Sequence, residues 1–193
     1  MAGRFPIGIA FLLGCASIAH AQQASDALPG PADATGAAPP WIESIVSLKA
    51  AGGRLNKWKK NLPCENGRFS TDVTFSQLTP EKPWESAVQL LLRNEEKNVA
   101  ARFNLNTEEF SPAYLYANLD SGSRTASGYF TERVPAGEPT HMTLTWLNSR
   151  TVIAAMGAQH YRLNLKEPIN ELELLASGGS ATFANNLLEC TKE

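Results

Sequence analysis

Cysteine, histidine and methionine are scarce in this chain, at three residues each in 193, and the scarcity excludes much. No CxxC or His-x-His spacing occurs, so a tetrahedral zinc site has no ligand set. A GxSxG elbow, a phosphate-binding P-loop, HExxH and an EF-hand loop are missing too, and neither a metal nor a cofactor is expected. The Gly-rich stretch Ser177-Gly178-Gly179-Ser180 precedes a strand pattern rather than a helix, which makes it a turn and not a phosphate cradle. Basic residues are few and dispersed: 17 Lys and Arg stand against 19 Asp and Glu. The densest run, Lys57, Lys59 and Lys60 with Arg54 nearby, reads as a solvated face. Nucleic acid and anionic membrane surfaces are therefore poor partners.

Long apolar runs are also missing, and the N-terminal one is too short to span a bilayer. Arg4, the mostly apolar Phe5 to Ala19, and Ala19-His20-Ala21 form the n-region, h-region and small-x-small site of a secretory signal peptide. Cleavage after Ala21 predicts a periplasmic or secreted bacterial protein. Leu12-Leu13-Gly14-Cys15 offers a rival route, lipidation and anchoring at Cys15, although a leucine stands where a lipobox prefers a small residue. Residues 22–40 are rich in Ala, Pro, Gly, Gln and Asp and are read as a disordered linker. Without residues 1–21, 16 basic and 19 acidic residues remain, a net charge of −3.

Cys64 and Cys190 outlast that cleavage. In an oxidising compartment an isolated pair is most simply a disulfide. Its Cα atoms must lie within about 7 Å, so a strand after Cys64 and the last strand should be neighbours.

Trp41, Ile42, Ile45, Val46 and Leu48 recur at helical spacing behind Pro39-Pro40, and Gly52-Gly53 would stop such a helix. Residues 41–63 are thus expected to be a helical or irregular lead-in. From residue 64 to 193 the period changes to two. Phe69, Val73 and Phe75 alternate with Ser70, Asp72 and Thr74; Val88, Leu90 and Leu92 follow the proline loop Thr79 to Pro83. After a polar turn at Asn94 to Asn98 come Ala101, Phe103 and Leu105, then strands marked by Tyr114 with Tyr116, by Tyr129 with Phe130, and by Met142, Leu144 and Trp146. Apolar residues at alternate positions between turn residues mean strands that each bury one face. About ten strands in so short a span suit an antiparallel two-sheet β-sandwich. Trp146, Leu144, Leu163 and Phe183 sit on the apolar register and are expected in its core.

The runs HMTLTWLNSRTVIAAMGAQHYRLNL and ELELLASGGSATFANNLLEC resemble the closing strands of concanavalin A-like lectin and glucanase jelly rolls, a likeness extending over Arg68 to Cys190. The resemblance implies the fold but no single activity, since lectins, glycosidases, lyases and structural modules share it. Retaining glucanases of this fold place two glutamates at alternate positions of one strand, about 5 Å apart, with an aspartate between. Glu171 and Glu173 have the alternation without the aspartate and are expected on a solvent face. Galectin-like members bind sugar through alternating His, Asn and Arg. His160, Arg162 and Asn164 supply those types in a different order. His141 reads as a solvated strand end.

A non-catalytic extracytoplasmic binding module for glycan or protein is the first reading. A diverged glycan hydrolase or lyase, or an inhibitory or structural periplasmic partner, is the alternative. For a binding face the candidate residues are Arg102, Asn104, His160 and Arg162, because period two puts each pair on one side of its strand and Arg and Asn offer paired hydrogen bonds.

Overall fold

The computed structural model describes residues 42–79, 86–108, 111–122 and 126–191. The expected signal peptide, Cys15, the linker, Trp41 and residues 80–83 of the proline loop lie outside them. Ten strands follow in chain order: β1 (Ile45–Asn61), β2 (Gly67–Ser76), β3 (Ala87–Asn94), β4 (Val99–Glu108), β5 (Ser111–Ser121), β6 (Ala126–Pro135), β7 (Pro139–Leu147), β8 (Thr151–Met156), β9 (Gln159–Asn164) and β10 (Ile169–Cys190).

β10 organises the rest. Its first half, Ile169 to Ser177, lies between β3 and the second half of β1; its second half, Ser180 to Cys190, lies between β2 and the first half of β1. Strands β4, β5 and β6 continue outward from β3, and β7, β8 and β9 from β2. All pairings are antiparallel. The long sheet thus folds over into a front layer, β1-β10-β3-β4-β5-β6, and a back layer, β1-β10-β2-β7-β8-β9. The fold-over is possible because both shared strands bend at glycine. Gly53 has φ +65° and Gly178 φ +57°, a conformation that costs a side-chain-bearing residue more than glycine. The β1–β10 register shifts between Ala50 and Leu55, at the same corner.

Alternation places the core. Leu90, Leu92, Phe103, Leu105 and Leu119 of the front layer and Phe69, Phe75, Trp146 and Phe183 of the back layer belong to one buried cluster. Burying each such side chain stabilises by roughly 1.5–3 kcal/mol. Of the expected core residues, Trp146, Leu144 and Phe183 are fully buried. Leu163 is only partly so, because its strand β9 pairs with β8 alone. The far strands approach each other: Tyr161 on β9 donates to the Tyr129 carbonyl on β6 at 2.7 Å, and its ring meets Phe130 edge-on at 4.9 Å.

Cys64 and Cys190 are bonded, with Cα atoms 5.9 Å apart, and Cys190 pairs with Gly67 at the start of β2. The expected helix is corrected. Residues 45–61 form β1, in which Val46, Leu48 and Ala50 are buried while Ile45, Ser47 and Lys49 are exposed. That run fits both periods, and pairing with β10 along both layers decided for the strand. Gly52-Gly53, expected to end a helix, is the corner of the sandwich instead.

Candidate functional site

The outward positions of the front layer carry most of the unusual polarity. Because inward positions of β4 and β5 hold Ala101, Phe103, Leu105, Leu115, Ala117 and Leu119, their alternates Arg102, Asn104, Asn106, Tyr116, Asn118 and Asp120 all point outward. Antiparallel register lines these up in three rungs across the strands: Arg102 beside Asp120; Asn104 beside Asn118, with Tyr129 next; and Asn106 beside Tyr116, with Arg133 next.

Several of these groups are buried although they face away from the core: Asn104, Asn118 and Asp120 are at most 7% exposed. They hold each other. Asn104 Nδ2 donates to Asp120 Oδ2 at 2.8 Å, Asn106 Nδ2 to Asn118 Oδ1 at 2.9 Å, and Asn118 Nδ2 to Asp120 Oδ2 at 3.2 Å. Arg102 lies 3.4 Å from Asp120 Oδ1, near enough for an ion pair, yet that oxygen accepts no hydrogen bond. Asn104 Oδ1 is also buried without a partner. Reversing the Asn104 amide would not help, since it would turn an oxygen toward the Asp120 carboxylate. A buried acceptor left open costs about 1–3 kcal/mol.

Beside these rungs, β10, β3 and β1 build an ion cluster. Glu173 accepts a two-bond fork from Arg93, at 2.9 and 3.0 Å, and lies 3.1 Å from Lys59 Nζ. Glu171 takes Lys59 at 2.9 Å and Lys97, from the β3–β4 turn, at 3.2 Å. The expectation that these two glutamates form a solvent face is corrected: they are 6% and 0% exposed, packed under the cations. Burial alone would raise both pKa values, but hydrogen bonds from Lys59 and Lys97 to Glu171, and from Arg93 and Lys59 to Glu173, hold both below the ordinary carboxylate range. Neither supplies the protonated carboxyl that a glycosidase general acid needs near neutral pH.

A recess of about 650 Å³ adjoins this face, lined by Arg102, Asn98, Ser121, Asn164, Lys166 and Glu167 among others, within the usual size range of ligand sites. Of the residues expected to bind, Arg102 and Asn104 therefore fall together on the front face and share Asp120. His160 and Arg162 lie on β9 in the back layer, exposed, and reach neither residue's network; Arg162 Nε instead contacts Asn164 Oδ1 at 3.4 Å. On the same layer, Asp72 accepts from Asn185 at 2.7 Å and meets His141 Nδ1 at 2.7 Å. Those two contacts hold its carboxyl below the usual range. Sequence reasoning missed Asn106, Asn118, Asp120, Tyr116 and Arg133. The signal available was the polar alternation Tyr116, Asn118, Asp120 along a strand marked only by its tyrosines. Among the described residues no three His, Cys, Asp or Glu side chains converge as metal ligands would.

No protein-family model matches the chain, and no curated protein does. Solved structures do match. An alginate lyase from Alteromonas sp. 272 superposes with a TM-score of 0.55 at 7% identity, over 80% of this chain and 91% of the other. The family 18 polysaccharide lyase aly-SJ02 gives 0.54 at 8%, over 80% and 92%. A marine PL7 alginate lyase from Zobellia galactanivorans gives 0.51 at 10%, over 69% and 65%. The fold is a concanavalin A-like jelly roll. At such identities the likeness establishes architecture alone. Against the first functional reading, a non-catalytic binding module, stand several lyases that match this chain at TM-scores above 0.5, and the lyase alternative replaces it as the reading to be argued. No helix among the described residues is long and apolar enough to cross a membrane.

Proposed function

We propose that this protein is a polysaccharide lyase that cleaves an acidic glycan on its front face by β-elimination. The observation that carries this reading is the rung of Asn106, Tyr116 and Arg133, a phenol flanked on adjacent strands by an amide and a guanidinium. It lies on a cationic face. Lys57, Lys59, Arg93, Arg102 and Arg133 of its strands stand there against Asp120, Glu171 and Glu173, in a chain of formal net charge −2.

In the reaction, the sugar carbon bearing the carboxylate loses its proton and the adjacent glycosidic carbon–oxygen bond breaks. A carbon–carbon double bond forms between the two carbons and no water is consumed. Arg133 and Asn106 hold the carboxylate, which spreads the charge that develops as the proton leaves. The Tyr116 oxygen takes the proton as phenolate and returns it to the departing oxygen. Arg102 positions the neighbouring sugar, and Asn104 and Asn118 hold Asp120 in place beside it through their amide donors. The ionised pair Glu171 and Glu173 argues against a hydrolase acid on this face. Extracytoplasmic location accords with the disulfide.

Alginate is the probe, since several structural neighbours are alginate lyases by name. Ultraviolet absorbance of unsaturated ends reports the elimination. Tyr116→Phe is expected to lose about a hundredfold or more in turnover while still binding alginate, and Arg133→Ala to raise KM. Wild-type protein that binds alginate, polygalacturonate and hyaluronan without releasing an unsaturated end from any would defeat the reading.

A further inference from the structure

We infer that the outer edge of β1 is a second, non-catalytic binding site, a rail for the polyanionic glycan as it runs off the front face. The 17 residues of β1 include Lys49, Arg54, Lys57, Lys59 and Lys60 and no acid. β1 pairs with β10 alone, so its other edge meets no described strand. Lys59 is neutralised by Glu171 and Glu173. Lys49, Arg54, Lys57 and Lys60 are exposed and pair with no acid among the described residues. At about 3.3 Å per residue, Arg54 to Lys60 covers roughly 20 Å of strand. Lys57 lies opposite Leu175, on the same side of the front layer as the rungs of polar side chains. Lys60 lies opposite the core residue Leu172 and flanks the edge from its other side, so Lys57 is the residue that joins the rail to the surface of the site.

Edge lysines have a commoner duty: they discourage pairing with a second sheet. Guarding an edge requires charge but no particular sign and no continuity with a cationic face. Here the sign is uniform, and it extends the charge excess of the face where an acidic substrate would lie. An extended anionic chain meeting such a surface gains from many weak, salt-screened contacts instead of one strong pair. A short oligosaccharide held on the central rungs would not reach the rail.

The inference rests on the acidic-glycan reading, and the test separates the two. Arg54→Glu with Lys60→Glu reverses charge at exposed positions outside the substrate face. Retention of the full chain on immobilised alginate is measured along a salt gradient, beside turnover of long and short alginate and the melting temperature. The double variant is expected to elute at lower salt and to show a roughly tenfold higher KM for long chains. Its kcat, its KM for short oligomers and its Tm should stay unchanged. Unaltered retention and long-chain KM in a folded variant would overturn the rail and leave the lysines as edge guards. Salt-sensitive retention that the variant loses, in a wild-type protein without lyase activity, would sustain the rail and refute the lyase. If the charge reversal lowers Tm, Arg54→Gln with Lys60→Gln decides, and again unchanged elution overturns the rail.

Discussion

Replacing Glu173 by glutamine leaves the shape of the ion cluster and removes its most buried charge. The Glu173 side chain is 1% exposed and faces Arg93 through two hydrogen bonds and Lys59 through one ion pair. Breaking a buried pair by removing one partner costs about 3–5 kcal/mol, because the other charge stays behind. Arg93 and Lys59 are 18% and 36% exposed and can recover water, and Glu171 Oε1 remains 4.0 Å from Arg93 Nε. The lower end, about 3 kcal/mol, is therefore expected. A domain of this size loses about 2–4 °C per kcal/mol, so Tm should fall by roughly 6–12 °C. The pH dependence follows from the direction of the shifts. Both glutamates titrate in the folded state below the ordinary value of 4.5. Their stabilisation is thus present above that value and is lost as pH falls through the lower, folded one. Calorimetry between pH 7 and pH 3 should show a steep acid loss of Tm in the wild type and a shallower one in Glu173→Gln. A variant within about half a kcal/mol of wild type, the range of ordinary surface changes, with an unchanged acid slope would refute the reasoning.

Two further outcomes are expected. Trp146→Ala should cost about 3–5 kcal/mol in guanidinium titrations, since the ring is fully buried and its Nε1 donates to the Cys64 carbonyl at 3.1 Å; Leu163→Ala, on the partly buried β9, should cost clearly less than Leu144→Ala. Thiol labelling of the unfolded, unreduced protein should find neither Cys64 nor Cys190 reactive, and removing both should cost at most about 5 kcal/mol, the chain-entropy value for a separation of 126 residues.

Where one face of a strand is wholly buried, the sequence was legible. Met142, Leu144 and Trp146 alternate as a half-buried strand must, and the isolated pair Cys64 and Cys190 pointed to a disulfide, which in turn required their strands to meet. β1 was not legible because Ile45, Val46 and Leu48 satisfy helical spacing as well as alternation. What decides between the periods is β10, more than a hundred residues away, which offers an unpaired edge along both layers. Local propensity carries no record of such an edge.

The site was harder to read for a related reason. An alternating strand pattern separates inward from outward but cannot say whether outward means solvent. Glu171 and Glu173 were assigned to water on that rule, and three cations from β1, β3 and the β3–β4 turn bury them instead. Asn104 was picked out for its side-chain chemistry, yet its partners Asn118 and Asp120 lie a strand away, and only register makes them neighbours. His160 and Arg162 had the same credentials on paper and fell on the opposite layer, exposed. Polar alternation marks where a face is, and the pairing of strands determines which faces become one surface. In this jelly roll the bent pair β1 and β10 makes that choice. Its bend sends β1 from the back layer to the front, and Lys57 and Lys59 beyond Gly53 thereby come onto the same face as the rungs of β4, β5 and β6, with β10 and β3 between.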